Sequence, residues 1–148
     1  MWCGGRVISE LLVVPDGAEV RALLEGCQLP VADLAVARPV LLGLRDGEGL
    51  RGVVGVELLG SVGLLRSLAV RPDQRGAGLG QRLTDAAEAW AAQRGIRQLF
   101  LLTITAAPFF ARRGYVVIDR ALVPAEIRTT TEFAGVCPSS AVVMHRQL

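Results

Sequence analysis

The sequence predicts an α/β fold of the α+β kind: one mixed central sheet with an antiparallel N-terminal meander and helices on both faces. Three observations carry this. Strand-like runs at 40–45, 51–59 and 62–70 follow one another across short turns, Asp46-Gly47-Glu48-Gly49 and Gly60-Ser61. A long amphipathic helix follows at 79–94, with Leu79, Leu83, Ala86, Ala87, Trp90 and Ala91 on one stripe and Arg82, Asp85, Glu88 and Gln93 opposite. A further β-α-β alternation follows that helix, and a meander joined to such a unit gives a mixed sheet.

Each element has a local reason. Residues 8–14 alternate weakly and read as a first strand. Val20, Leu23, Leu24 and Cys27 then recur at helical spacing, with Asp16 and Glu19 placed as a capping box and Gly26 and Pro30 marking the end. Residues 29–39 fit either a second short helix or a loop. Gly95 stops the long helix, and 98–102 is a short buried strand. A short helix at 108–113 is closed by Gly114, and 115–119 is a strand. Residues 126–133 are a candidate helix, and 141–146 a final strand. The order is β-α-(α)-β-β-β-α-β-α-β-β. There is no linker, repeat or low-complexity tract, so one domain over 1–148 is expected.

Composition narrows the function classes. The chain has 148 residues, 51% hydrophobic and 20% charged, which suits a folded core. Its formal net charge of +2 gives no basis for nucleic-acid binding. Every basic residue among its 16 is arginine, which reads as a coding bias rather than as chemistry. Cys3, Cys27 and Cys137 are widely separated and lack metal-ligand spacing, so neither a disulfide framework nor a metal site is expected. No stretch is long enough to cross a membrane, and residues 7–14 do not read as a signal peptide, which leaves a cytoplasmic protein as the expectation.

The chemistry concentrates in residues 65–80. A buried strand ends at Val70, a polar loop follows, and Gly76, Gly78 and Gly80 open the long helix. Alternating glycines let backbone N–H groups approach a ligand closely. The helix N-terminus adds unpaired donors and a positive dipole end. Together they suit a pyrophosphate, with Arg75 as a fixed charge beside it. A ligand-free strand-to-helix turn is the plain alternative. No Gly-Lys-Ser/Thr follows, which excludes a Walker A loop, and the glycine spacing is wrong for a dinucleotide fingerprint.

Arg75-Gly76-Ala77-Gly78-Leu79-Gly80 resembles the R/Q-x-x-G-x-G/A motif of GNAT-superfamily N-acetyltransferases, and Leu68-Ala69-Val70-Arg71-Pro72 resembles that family's cofactor strand and its exit. Phe109-Phe110-Ala111-Arg112-Arg113-Gly114-Tyr115 resembles its F-Y-x-x-x-G-F segment. The resemblance implies acetyl-CoA as cosubstrate, with no metal. Backbone groups from Gly76 through Ala77, Gly78 and Gly80 to Gln81 would hold the pyrophosphate. Leu68, Ala69 and Val70 would hold the pantetheine arm like an added strand, and Phe110 would lie against the cofactor. A homodimer through the C-terminal strands is a further family expectation. Residues 64–70, 101–106 and 109–112, with the tail 131–141 (Thr-Glu-Phe-Ala-Gly-Val-Cys-Pro-Ser-Ser-Ala), resemble the arsenic-resistance N-acetyltransferase subgroup. Ile104 departs from it, standing where threonine is expected.

Acetyl transfer to an amine needs a neutral nucleophile, donors for an oxyanion and a proton or hydrogen bond for the leaving thiolate. Glu57 interrupts an apolar strand. Across a two-residue Gly60-Ser61 turn it pairs with residue 64, which puts Arg66 on the same face one step diagonal. Glu57 is therefore the candidate base, acting through water. Arg66 would bind an acidic group of the acceptor or tune Glu57; a structural ion pair is the alternative. The family's acidic tyrosine falls at Phe110, which has no proton to give, and Tyr115 occupies a packing position. Thr103, Thr105, Ser67 or water are the substitutes, against a local capping role for the threonines. Cys137 and His145 read as a packed thiol and an edge residue.

The expected function is acetyl transfer to a small, amino-acid-like amine, with arsenic or toxic-amine resistance as a context. A catalytically weak acetyl-CoA-binding module and a protein or peptide acetyltransferase are the alternatives.

Overall fold

The computed structural model describes residues 10–136 and 140–148. Residues 8 and 9 of the expected first strand, Cys3, and Cys137 with the following Pro138 and Ser139 of the tail motif lie outside the described residues. The chain runs β1 (Glu10–Val14), α1 (Ala18–Gly26), α2 (Leu34–Ala37), β2 (Val40–Asp46), β3 (Gly49–Leu59), β4 (Val62–Val70), α3 (Leu79–Gln93), β5 (Gln98–Thr103), α4 (Ala107–Arg112), β6 (Val116–Ile118), α5 (Ala125–Arg128) and β7 (Val142–Gln147). The strands form one sheet in the order β1-β2-β3-β4-β5-β7-β6. β2, β3 and β4 make the expected antiparallel meander, β1 adds antiparallel to β2, β4 and β5 are parallel, and β7 runs antiparallel between β5 and β6.

Alternation along the strands sends neighbouring side chains to opposite faces. Leu42, Val54, Val56, Leu65, Leu99 and Leu101 meet α3 and α4 on one face, where Leu83, Ala87 and Ala91 are fully buried. On the other face Leu41, Val53 and Ala69 meet α1 and α2, while Leu64, Phe100 and Val143 meet α5. Helices therefore cover both faces, as the sequence predicts. No helix among the described residues is long and apolar enough to cross a membrane.

Two local expectations are corrected. Gly17, not Asp16, is the residue before α1, and no side chain caps it. Asp16 pairs with Arg21 instead, and Glu19 bonds Arg45 and the Leu50 amide, because an ion pair and a strand end compete successfully for the carboxylates. The candidate helix at 126–133 is broken: α5 ends at Arg128, Thr130 Oγ1 turns back to the Ile127 carbonyl, and a π-turn spans Glu132–Val136. Side-chain hydroxyls that bond nearby carbonyls compete with the helix ladder in this way.

Candidate active site

The site begins where two strands part. The β4–β5 ladder has three register pairs, Val62–Gln98, Gly63–Leu99 and Leu64–Phe100. Beyond them β4 stays with β3 while β5 follows β7. The gap is a cleft of about 1200 Å³, walled by residues 65–70 on one side and 101–106 on the other. Among the described residues β4 faces no strand on that side, so its outward backbone groups are available to an extended ligand.

A bulge shapes the β4 wall. Val53 pairs with Ala69 and Gly55 with Arg66, so Val54 faces both Ser67 and Leu68. Ser67 takes φ 58, a left-handed conformation unusual for a non-glycine residue, and it is buried. Such a bulge re-aims the strand and leaves an extra residue off the ladder.

At one end of the cleft, β4 runs through a 3₁₀ turn at Pro72–Gln74 into the glycine loop. Gly76 and Gly78 take φ 86 and 80, and Gly78 is the residue before α3. A Cβ at either would meet nothing within 4 Å, so it is the left-handed backbone that requires glycine there. The first N–H groups of α3 have no carbonyl partner within the helix. They converge with Arg75, Gln74 and Gln81 on the cleft. Arg75 Nη2 also donates to Cys27 Sγ at 3.5 Å, across the cleft mouth. Phe109 packs beside Gly80, edge-on to Phe110.

The other end is a buried polar cluster. The Arg66 side chain is completely buried. Its Nη1 and Nη2 donate to the two oxygens of Asp33, each at 2.6 Å. Nη1 also reaches Glu57 Oε2 at 3.1 Å. Nε donates to Ser67 Oγ at 3.2 Å and lies 3.4 Å from Glu132 Oε2. Thr131 Oγ1 donates to Asp33 Oδ2 at 2.6 Å. Three carboxylates thus surround one guanidinium. Burial works against the Arg66 charge, but Asp33, Glu132 and Glu57 hold its proton more firmly than usual. Burial also works to raise the Asp33 carboxyl; the Arg66 and Thr131 bonds outweigh it and keep Asp33 below the ordinary range. For Glu57 burial prevails, offset in part by Arg66 and reinforced by the charge of Asp33, so its carboxyl is pushed up.

The register predicted from the Gly60-Ser61 turn is the one observed, with Glu57 opposite Leu64. Glu57 and Arg66 are brought together, but Glu57 stands behind the cleft wall. Among the described residues, the carboxylate on the wall itself is Glu132. Sequence reasoning passed over Asp33, which lay in the ambiguous 29–39 segment, and treated Thr131 and Glu132 only as parts of a candidate helix and a tail motif. Thr103 and Thr105 line the cleft, and Thr103 Oγ1 accepts the Ala106 amide at 2.9 Å, the local cap weighed against a chemical role. Phe110 lines the cleft with its ring buried, edge-on to Tyr115. Tyr115 lies outside the cleft, donates to Glu88 at 2.9 Å, and is pushed up by burial and that carboxylate.

The sequence model of the acetyltransferase (GNAT) domain matches residues 38–117, more than half of the chain. The chain belongs to the GNAT acetyltransferase family. The matched segment of this GNAT chain holds β2 to β5, the glycine loop, α3 and α4. An amino-acid acetyltransferase of Salmonella typhi is 36% identical over 63 residues, covering 43% of this chain and 14% of that protein. An uncharacterised N-acetyltransferase of Chlorobaculum tepidum is 38% identical over 63 residues, covering 43% of this chain and 40% of that protein. The GNAT chain therefore covers 14% and 40% of the lengths of these curated relatives. Among solved structures, N-acetylglutamate synthase from Neisseria gonorrhoeae, complexed with coenzyme A and N-acetyl-glutamate, superposes with TM-score 0.81 at 20% identity, over 97% of this chain and 36% of that one. A GNAT-family acetyltransferase from Staphylococcus aureus MU50 superposes with TM-score 0.76 at 16% identity, over 95% and 99%. These likenesses show that the GNAT fold is shared.

Proposed function

We propose that the chain moves an acetyl group from acetyl-CoA to the amine of a small acceptor. The observation that carries this reading is the cleft itself, which runs from an anion-binding glycine loop, along an unpaired strand edge, to a buried acid–guanidinium cluster. The residues present suit acetyl-CoA: open positions at Gly76 and Gly78 leave room for a pyrophosphate, and the free side of β4 suits an extended arm. Backbone groups from Gly76 to Gln81, with Arg75, would hold the first, and Leu68 to Val70 the second. The cosubstrate supplies an acetyl group activated as a thioester.

The chain's own residues would do the rest. Glu57, with its raised carboxyl, takes a proton from the acceptor's ammonium through a bridging water, and the neutral amine so formed is the nucleophile. Backbone amides at the Ser67–Leu68 bulge face the developing oxyanion. Thr103 keeps a hydroxyl proton to offer the leaving sulfur, because its oxygen is the acceptor in its bond to Ala106; Thr105, exposed on the same loop, is the second donor. Arg66, whose donors are taken up by the cluster, acts on Glu57 rather than on an acceptor carboxylate.

The amino-acid-like acceptor is favoured by the names of the relatives, and the arsenic-resistance context by the tail motif. A catalytically weak acetyl-CoA-binding module is the second reading, favoured by Phe110 at the tyrosine position and by Tyr115 being held by Glu88.

The test is thiol release from acetyl-CoA with a panel of amino acids, amino-acid-like arsenicals and polyamines. Turnover with one acceptor is expected, falling about 100-fold or more in Glu57→Gln with acetyl-CoA affinity unchanged. Turnover that survives the substitution removes Glu57 from the role. Acetyl-CoA binding without turnover of any acceptor supports the second reading.

A further inference from the structure

We propose that Asp33 is a positioning residue: gripping Arg66 with both oxygens, it draws the guanidinium away from Glu57 and leaves Glu57 a basic carboxylate. The inference rests on the role given to Glu57 above.

The geometry is unequal in a telling way. Asp33 holds Arg66 through two bonds of 2.6 Å, the fork-to-fork arrangement that gives the strongest guanidinium–carboxylate contacts. Glu57 has a single 3.1 Å contact, to an Nη1 already donating to Asp33. A carboxylate that captured the whole guanidinium would be held ionised far below neutrality and would be a poor base. Asp33 prevents that capture and adds a like charge on the same side.

A second observation points the same way. Asp33 occupies the position before α2, where an aspartate ordinarily caps the helix, yet its side chain makes no capping bond. It turns inward and is fixed from the far side by Thr131. The carboxylate serves the cluster at the expense of its own helix.

The groups facing Glu57 are Arg66 from β4, Asp33 from the start of α2, and Glu132 from the π-turn. Glu132 approaches Nε, on the opposite side of the guanidinium from Nη1, so it does not compete for the donor that Glu57 shares with Asp33. With Asp33 neutralised, both changes have one sign: a like charge is lost and Nη1 is released to Glu57. Each lowers the Glu57 carboxyl.

The experiment compares Asp33→Asn with the native chain by two readouts. The first is the pH titration of ¹³C-labelled glutamate carboxyls, with Glu57 assigned by its loss in Glu57→Gln. The second is the pH profile of kcat/KM for the best acceptor of the panel. The Glu57 midpoint is expected to fall by about one pH unit or more. The acidic limb of the profile should move down by the same amount, with a lower plateau as the base weakens. Asp33→Glu, which keeps the charge on a longer arm, should shift both in the same direction but less, and serves if Asp33→Asn does not fold. An unmoved or raised Glu57 midpoint overturns the proposal, as does a variant that loses stability with its profile unchanged. A midpoint that falls in a chain with no turnover of any acceptor refutes the enzyme reading and leaves the clamp standing.

Discussion

The two ends of the cleft are built by different means. The glycine loop is made of backbone: Gly76, Gly78 and the opening turn of α3 are contiguous, and what they present is N–H groups in a fixed conformation. The acid–guanidinium end is made of side chains from four distant places, at Asp33, Glu57, Arg66 and the Thr131–Glu132 pair. A backbone site tolerates changes that leave its dihedrals alone, and a side-chain site tolerates changes that leave its charges balanced. The difference teaches that one end is limited by conformation and the other by electrostatics.

The largest expected effect strikes the electrostatic end. Arg66→Met leaves three buried carboxylates without their cation, and breaking a buried pair in this way costs about 3–5 kcal/mol. Urea unfolding followed by circular dichroism reads that loss. Whatever fraction remains folded should still bind acetyl-CoA in calorimetry; loss of binding by folded protein would show that the two ends are not separable.

Gly78→Ala probes the conformational end. The added methyl meets open space, so the cost comes from the left-handed backbone alone, about 1–2 kcal/mol. The loop should relieve this strain by rotating its amides, weakening acetyl-CoA binding about tenfold. Unchanged affinity would mean that the loop's φ angles do not serve the ligand.

The smallest effect is expected outside both ends. Asp16 and Arg21 form a two-bond ion pair of good geometry, but it is exposed. Solvent and salt screen such pairs. Asp16→Ala should leave the urea midpoint unmoved. A clear shift would show that the geometry of a pair, rather than its burial, sets its worth in this protein.

The same division explains what could be read in advance. Strands, turns and α3 follow from periodicity and turn chemistry, which are local, and so does the glycine loop. The Glu57–Leu64 register followed from one two-residue turn. Where tertiary contacts override local preference, the reading failed. Asp16 and Glu19 look like a capping box until Arg21, Arg45 and the Leu50 amide compete for them. Residues 126–133 look helical until Thr130 turns back on its own carbonyl. Asp33 carries no local signal: its importance arises from an arginine 33 positions later and a threonine 98 positions later. The insertion of β7 between β5 and β6 is likewise long-range, since nothing in 142–147 specifies its neighbours.

The bond from Thr131 to Asp33 has a consequence for the order in which the molecule is made. Domains begin folding as they are synthesised, and contacts between distant residues wait for both partners. The meander, the glycine loop and α3 are complete by residue 93. Thr131 and Glu132 leave the ribosome only after nearly forty further residues. A nascent chain therefore has the residues of its glycine loop while the acid–guanidinium cluster still lacks one side. Completion of the cluster is the later event, and an arrest of synthesis between those points leaves Arg66 with Asp33 and Glu57 but without Glu132.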